Sequence, residues 1–275
     1  MMKHQPRILL HRPMWLSSLS VLVIAAAFPF HVHAVNDTGT TACYTDSQFA
    51  VACSAAVTSD TGTYPRQDSR MGRDANAALT KIGAGAAGFD FTKISNAGNA
   101  VAASTALGPG ANDWACTRDN VTGLVWEVKT SNSATPGLRD VANTYTWYNT
   151  DAASNGGDAG SVGTTTTCNS TLAACNTQDY VAAVNAANLC GRSDWRLPSY
   201  KDAFTIFNAQ TLGASTPTPF DPTYFLARGS STFTSNTAVA QANNVFYVDS
   251  NGMNVTSKSS LARQVRVVAG TNAYQ

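Results

Sequence analysis

Histidine is missing from most of this 275-residue chain, because all four histidines lie before residue 35. A Ser-His-Asp or Cys-His catalytic arrangement needs an imidazole. Zinc sites need histidines or closely spaced cysteine pairs, and the chain contains no CxxC sequence. From residue 35 onward, the sequence therefore predicts neither histidine-dependent catalysis nor a bound zinc ion.

Charged residues are also scarce. Asp, Glu, Lys and Arg make up 13% of the chain, and Glu127 is the only glutamate. Removal of residues 1–34 would take away Lys3, Arg7 and Arg12, leaving 15 of the 18 basic residues against 17 acidic ones, a formal charge of −2. Such a balanced charge gives no general attraction to nucleic acid, so we expect no nucleic-acid partner.

The chain has a single long apolar run, Trp15–Phe30, with basic residues before it. Val32-His33-Ala34 follows, which suits cleavage of a signal peptide after residue 34. A retained membrane anchor is the weaker interpretation, because the run is shorter than the roughly 20 residues that span a bilayer and contains Pro29. We expect residues 1–34 to be a signal peptide. The remainder would be secreted, periplasmic or on the cell surface, without a transmembrane segment.

Six cysteines follow this segment: Cys43, Cys53, Cys116, Cys168, Cys175 and Cys190. An even number of cysteines behind an export signal predicts disulfides in an oxidising compartment. Sequence alone cannot choose among the many connectivities. Proximity favours Cys43–Cys53 and Cys168–Cys175 as local loops. That choice leaves Cys116–Cys190 as the long-range closure, worth about 4–5 kcal/mol by chain entropy.

Residues 35–110 show little periodic pattern. Residues 35–65 are polar, with the Cys43–Cys53 loop as their one strong constraint, and residues 66–110 are rich in Gly and Ala. We interpret residues 35–110 as an N-terminal extension, an arm packed on the main domain, although a mobile linker has the same composition. Residues 111–270 then make up the main domain.

The first clear strand signal lies in residues 119–130. A turn there precedes an alternation that places Leu124, Trp126 and Val128 on one buried face. Tyr145–Tyr148 is a second β-prone segment. Further along, STFTSN, VFYVDS and ARQVRVV predict short strands separated by Asn/Gly turns.

A first helix is predicted between these strands. It would begin at Asn176 or Thr177, either of which can cap a helix, and continue to about Asn188. Residues three or four positions apart lie on one side of a helix. The expected buried stripe is Tyr180, Val184 and Ala187.

A second helix is predicted soon after the first. Ser199-x-x-Asp202 is a capping box, and Pro198 before it cannot continue an earlier helix. The helix would continue to Phe207. The resulting fold class is α+β, with two helices packed on a mostly antiparallel sheet, long loops and disulfides.

These segments, in this order, resemble the Lcl C-terminal domain family, named for a collagen-like bacterial adhesin. The motifs that carry the resemblance are WACTRDNVTGLVWEVKT, TYTWY, NLCGRSDWRLPS and a terminal VRVV. The resemblance implies a C-type-lectin-like fold with a twisted sheet, and a role in adhesion or carbohydrate binding on the bacterial cell surface. No Gly-x-y repeat is present, so collagen-driven trimerisation is not implied and the oligomeric state stays open.

The DWRLP motif at residues 194–198 favours a structural role over ligand contact. Its Trp and Leu are core candidates, and its Asp and Arg are expected to pair with each other or with nearby backbone. A partnered, buried Arg is costly to remove without being part of a binding site. The expected structural residues are Trp126, Trp195, Arg196, Pro198 and Ser199.

We expect ligand binding in Arg228–Arg266. Amide and aromatic side chains there supply donors, acceptors and stacking area for an extracellular glycan or protein. Four basic residues against Asp249 alone favour an acidic partner such as a sulfated polysaccharide. The alternative is that Asn is simply common in turns. The candidate binding residues are Phe233, Asn236, Gln241, Asn243, Asn244, Tyr247, Asn251, Asn254, Lys258 and Arg263.

No cofactor or metal is expected, with calcium as the alternative at Asp151–Asp158. That loop carries carboxylates and amides, but it lacks the third-position ligand and closing Glu of an EF-hand, so a solvated turn is preferred. A polysaccharide hydrolase would need a carboxylate pair, and the spacing of the Asp residues singles out none. We therefore expect a binding protein and not an enzyme. A structural component of the cell envelope is the other alternative.

Overall fold

A computed structural model describes residues 36–46, 51, 53, 63–131, 134–211, 220–225, 231–249, 251–259 and 263–271. The chain divides into two units, residues 1–32 and 33–275, and the described residues belong to the second. The expected signal peptide, residues 1–34, and Arg228 lie outside them. Within the described ranges, no helix combines the length and apolarity needed to cross a bilayer.

Two antiparallel sheets form the framework. The larger has five strands in the order β1-β2-β3-β8-β4, and the smaller has three in the order β5-β6-β7. The strands are β1 Phe91–Ser95, β2 Trp114–Asp119, β3 Val125–Glu127, β4 Trp195–Arg196, β5 Thr232–Thr237, β6 Asn244–Asp249, β7 Gly252–Ser257 and β8 Val268–Ala269. The helices are α1 Asp68–Met71, α2 Thr177–Ala186 and α3 Tyr200–Phe204, with 3₁₀ turns at Arg73–Ala75, Leu189–Gly191 and Ala209–Thr211. A mixed fold of few helices and antiparallel strands is therefore confirmed.

Strand β1 lies within the segment that showed little pattern. It pairs with β2 along its whole length and forms an edge of the larger sheet. Phe89 and Phe91 are fully buried there, with their rings stacked at 5.3 Å. Residues 91–95 of the expected arm therefore form a strand of the larger sheet. Their pairing partners lie 19 to 28 residues further along the chain, so local pattern does not reveal the strand.

Strand β3 is covered on both faces. Leu124, Trp126 and Val128 are buried as predicted, but Val125 and Glu127 between them are buried too. Val125 belongs to one core cluster and Trp126 to the other. The larger sheet therefore lies between two apolar cores, which is why the predicted single buried face is incomplete.

The only glutamate of the chain lies inside this sheet. Glu127 and Tyr180 are fully buried and joined by a hydrogen bond from the Tyr180 hydroxyl. Lys129 Nζ lies 2.9 Å from Glu127 Oε1 and donates to Tyr180 Oη at 2.6 Å. Arg266, also buried, donates to the Glu127 carbonyl at 2.6 Å. A charged network therefore crosses the core.

Helix α2 begins where the sequence predicted. The Asn176 side chain accepts a hydrogen bond from Asp179 N and caps the helix. Tyr180 and Val184 are buried, but Ala187 is exposed and is the C-cap. The expected stripe is therefore wrong at Ala187, because the helix ends at Ala186.

Helix α3 begins with the predicted capping box. Ser199 Oγ accepts from Asp202 N, and the Asp202 carboxylate accepts from Ser199 N at 2.8 Å. The helix ends at Phe204 instead of Phe207. Ile206 and Phe207 are nevertheless buried in the core behind the larger sheet.

The structure contains three disulfides, Cys43–Cys53, Cys116–Cys190 and Cys168–Cys175. These are the pairs that proximity along the chain favoured. Cys116–Cys190 joins β2 to the 3₁₀ turn after α2, and so fixes that helix against the larger sheet.

The TYTWY segment is not a regular strand. Tyr145, Thr146 and Tyr148 each form an isolated bridge, to three different parts of the chain. Between them, Trp147 is fully buried, and its Nε1 donates to Thr234 O at 2.9 Å. This segment therefore links the N-terminus of α2 to the smaller sheet.

Candidate functional site

A cavity of about 450 Å³ opens where the TYTWY segment meets α2, β4 and β5. Its volume lies within the range of small-molecule pockets. We call it the aromatic pocket. Its lining residues are Trp147, Tyr148, Asn149, Thr177, Gln178, Val181, Arg196, Leu197, Ser235 and Thr271.

The first turn of α2 holds one wall of the pocket in place. Thr177 Oγ1 donates to Tyr148 O and accepts from Tyr148 N, both at 2.9 Å. Gln178 Oε1 accepts from the backbone N of Thr150 at 2.8 Å and from its hydroxyl at 2.9 Å. The helix cap predicted from the sequence therefore also fixes residues 148–150.

Arg196 also lines the pocket, and hydrogen bonds to other parts of the protein hold its guanidinium. Its Nη1 forms an ion pair with Asp202 at 2.8 Å and also donates to Leu197 O, while its Nε donates to Gly270 O at 3.3 Å. Its Nη2 is buried and has no hydrogen-bond partner among the described residues. A buried donor left without an acceptor costs about 1–3 kcal/mol. Nη2 is therefore a donor of the Arg196 guanidinium for which the described residues supply no acceptor.

Of the two alternatives predicted for Asp194 and Arg196, pairing with each other is wrong, whereas bonding to backbone is confirmed for both. Asp194 pairs instead with Arg192, at 2.6 Å, and accepts from Gly270 N. The pKa of Asp194 is lowered, chiefly by the Arg192 hydrogen bond. Arg196 turns toward Asp202 because the capping box already holds that carboxylate beside it.

Charge in the aromatic pocket has one sign. Arg196 is the only charged residue among the lining residues, which include no carboxylate. Val181, Leu197 and Tyr148 supply apolar surface, and the fully buried Trp147 borders the pocket. The pocket therefore suits a ligand that combines an apolar face with hydrogen-bond acceptors or negative charge.

The expected basic face after residue 228 does not form in the described residues. Lys258 is 1% exposed, and its Nζ donates to Asn155 O and Asp158 O. Arg266 is 3% exposed and belongs to the Glu127 network. Because both cations point inward, Lys258 is wrong as a surface ligand contact.

Phe233 is also wrong as a surface contact, because it is fully buried in the core. Tyr247 and Arg263 do come together, with the Arg263 guanidinium carbon 3.6 Å from the ring centroid. Both are half-buried, and neither lines the aromatic pocket. Ser235, which was not a candidate, is the residue of this segment that lines it.

Four of the six candidate amide side chains, those of Asn236, Gln241, Asn244 and Asn254, make hydrogen bonds within the protein. Asn236 Oδ1 accepts from Tyr200 N, Asn244 donates to Gln241, and Asn254 donates to Asp249. The backbone N of Asn251 also donates to Asp249, and the carbonyl of Asn243 accepts from Lys258 N. None of these residues lines the pocket. Their pattern fits the alternative in which asparagines shape turns.

The candidate calcium loop uses its side-chain oxygens on its own turns. Asp151 accepts from Ala153 N and from the Ser154 hydroxyl, and Asp158 accepts from Gly160 N. Asp151 is exposed. The arrangement is that of a turn, which is the interpretation preferred from the sequence.

Comparison with known protein families assigns the chain to a family. The model of the Lcl C-terminal domain matches residues 115–269. The chain belongs to the Lcl C-terminal domain family. No curated protein and no solved structure matches it significantly.

The Lcl domain contains all of the aromatic pocket except Thr271. Strand β1 precedes the matched residues but pairs with β2 inside them, so the larger sheet of this chain extends beyond the family match. The family indicates an extracellular adhesin-like domain. The three disulfides are consistent with that location.

Sequence reasoning missed the Lcl domain's pocket because its walls come from five separate segments of the chain. TYTWY was recognised only as β-prone, and Gln178 only as part of a helix start. An available signal was the aromatic pair Trp147-Tyr148, 30 residues before the capped helix. Even so, only the fold brings Arg196 and Ser235 to the same place.

Proposed function

We propose that this chain is an exported recognition protein that binds a glycan in the aromatic pocket, with a C-type-lectin-like arrangement of its helices and sheets. The observation that carries the proposal is the pocket itself, about 450 Å³ with apolar walls and Arg196 as its one charged residue. Glycan sites combine an apolar surface for the sugar face with polar groups that fix its orientation.

The pocket chemistry favours an acidic sugar. The half-buried Tyr148 and Val181 offer surface to the apolar face of a ring. Asn149 and Gln178 offer amides to hydroxyl groups, and the Arg196 side chain, 32% exposed, offers positive charge to a carboxylate or sulfate. A sulfated or uronic polysaccharide outside the cell therefore fits better than a neutral one.

Binding, and not catalysis, is the proposed activity. The lining residues include no Asp, Glu, His or Cys, so they supply neither a carboxylate pair nor an activated nucleophile. Incubation of the protein with any glycan that it binds, followed by product analysis, tests this part. Release of shortened or modified glycan would contradict it.

A pocket-filling variant tests the site. Ser235→Trp places an indole at the exposed Ser235 on the pocket wall. Ile82→Trp is the matched control, because Ile82 is 82% exposed and lies outside the pocket. Glycan-array screening of the wild type would identify a ligand, and calorimetry would measure the affinity of each variant.

We expect Ser235→Trp to weaken binding at least about tenfold, equivalent to about 1.4 kcal/mol, while Ile82→Trp binds as the wild type does. Acidic glycans should bind more tightly than their neutral counterparts, and salt should weaken them. Equal affinity in both variants would place the glycan site elsewhere. Absence of any glycan ligand would count against the proposal as a whole.

A further inference from the structure

The Asp151–Asp158 loop closes around a lysine side chain. Lys258 Nζ donates to Asn155 O at 2.6 Å and to Asp158 O at 2.9 Å. It also lies 4.3 Å from the centroid of the Trp147 ring. Lys258 forms no ion pair with a carboxylate of the described residues. The buried ammonium is therefore surrounded by carbonyl dipoles and an aromatic face.

Carbonyl oxygens and aromatic faces are groups that proteins use to bind cations. The loop directs its backbone oxygens to the ammonium because its side-chain oxygens are engaged elsewhere. Asp151 and Asp158 accept from backbone N–H groups within the loop. Burial lowers the pKa of Lys258, and Asp158 opposes that shift.

The loop fits tightly against its surroundings. A Cβ on Gly156 would lie 2.6 Å from the Thr237 side chain, and a Cβ on Gly160 would lie 2.2 Å from Trp147 O. Both glycines have positive φ, +67° and +82°, which other residues rarely adopt. Thr237 Oγ1 also donates to Asn155 O at 3.1 Å. The loop is therefore held at a fixed position beside the tryptophan.

The same loop is connected to the wall of the aromatic pocket. Asn149, which lines the pocket, donates its backbone N–H to Ala159 O and its side-chain amide to Ser154 Oγ. Asn155 donates its side-chain amide back to Asn149 O at 3.2 Å. Movement of the loop would therefore move the pocket wall.

We infer that Lys258 is a positioning residue that fills a cation site made of the chain's own carbonyls and thereby holds residues 149–160 and Trp147 as one wall of the aromatic pocket. The site selects a primary alkylammonium. The inference rests on the proposed function only where it concerns glycan affinity. The effect on the order of the loop is independent of any ligand.

Hydrogen–deuterium exchange on Lys258→Ala tests the inference. The matched control is Lys81→Ala, since Lys81 Nζ also donates to two loop carbonyls, Gly85 O and Ala87 O, but outside the pocket. We expect exchange in residues 149–161 to accelerate at least about tenfold in Lys258→Ala, because two charge-assisted hydrogen bonds are lost. Lys81→Ala should leave those residues unchanged.

Chemical rescue then distinguishes a cation site from a packing defect. Propylammonium chloride should restore slow exchange in Lys258→Ala, whereas sodium chloride at the same ionic strength should not. Unchanged exchange in Lys258→Ala would overturn the inference. So would acceleration that propylammonium does not reverse, because the missing group would then not act as a cation.

Acetylation of the wild type keeps the inference testable if the variant does not fold. Lys201 is exposed and provides the internal reference. We expect Lys258 to be acetylated at least about tenfold more slowly than Lys201, because reaction requires the loop to open. Equal rates would overturn the inference.

Glycan binding adds a separate measurement. If a glycan ligand is found, Lys258→Ala should weaken its binding at least about tenfold, and propylammonium should restore it. If no glycan binds the wild type, the proposed function fails, while exchange and acetylation still decide the role of Lys258.

Discussion

Three lysines are buried among the described residues, and two of them, Lys129 and Lys258, lie in opposite electrostatic settings. Lys129 lies in the core with Glu127 as its counter-ion and Tyr180 as a further partner. Lys258 lies against the Asp151–Asp158 loop, and among the described residues its ammonium contacts carbonyl oxygens and the ring of Trp147. Lys129 forms an ion pair with a carboxylate, whereas Lys258 is held by carbonyl dipoles and feels the charge of Asp158 without an ion pair.

The two lysine sites differ in which groups would stay buried if a charge were removed. Around Lys129, removal of the Glu127 carboxylate leaves Lys129 and Arg266 buried without a negative partner, which is strongly destabilising. Around Lys258, removal of the ammonium leaves neutral carbonyls that water can reach once the loop opens. We therefore expect the first site to control global stability and the second to control local order.

Glu127→Gln should produce the largest effect. Gln keeps the size of the side chain but removes the negative charge, which leaves Lys129 and Arg266 buried together. The free energy of unfolding should fall by about 3–5 kcal/mol. Urea denaturation of the wild type and the variant measures this change.

The double variant Glu127→Gln/Lys129→Met is the control. Because it removes both charges of the ion pair, it should regain part of the lost stability. If the free energies of unfolding of Glu127→Gln and the wild type agree within about 0.5 kcal/mol, the Lys129 site does not control global stability.

The features that the sequence predicted correctly depend on residues close together in the chain. The caps at Asn176 and Ser199 were recognisable because a cap and its partner lie three positions apart. The burial of Leu124, Trp126 and Val128 followed from a short alternation. Local geometry determines these features almost completely.

The features that could not be predicted require contacts between distant segments. Lys258 contacts carbonyls about a hundred positions earlier in the chain, and a long cationic side chain can point outward or inward. The same holds for Arg196 and Ser235, which the fold brings to one pocket. The candidate binding segment, Arg228–Arg266, contributes Ser235 to the lining of the pocket. Its predicted basic face does not form in the described residues.

Lys129 should make the free energy of unfolding depend on pH in a way that a lysine with an ordinary pKa does not. Burial lowers the pKa of Lys129 to about 8, although Glu127 opposes the shift, whereas an unfolded lysine titrates near about 10.4. Between these values the unfolded chain binds the proton more strongly, so the free energy of unfolding rises with pH. From pH 8 to pH 10 this contribution should reach about 2 kcal/mol.

The measurement is urea denaturation at several pH values, with Lys129→Met as the control that lacks this rise. The range ends at pH 10 because the raised pKa of Tyr180, caused by burial and then by Glu127, opposes the trend where unfolded tyrosines ionise. Parallel pH profiles for the two proteins would contradict the prediction.

Lys258→Met should have the smallest effect on global stability. Methionine keeps most of the aliphatic stem against Trp147 and removes only the ammonium, so the loss should be about 1–2 kcal/mol. Lys201→Met, at an exposed position, should change stability by no more than about 0.5 kcal/mol. If the free energy of unfolding fell as much in Lys258→Met as in Glu127→Gln, that result would show that the hydrogen bonds from Lys258 to Asn155 O and Asp158 O determine global stability. The two lysines would then differ only in the chemistry of their partners, and the proposed division between the core and the pocket wall would be wrong.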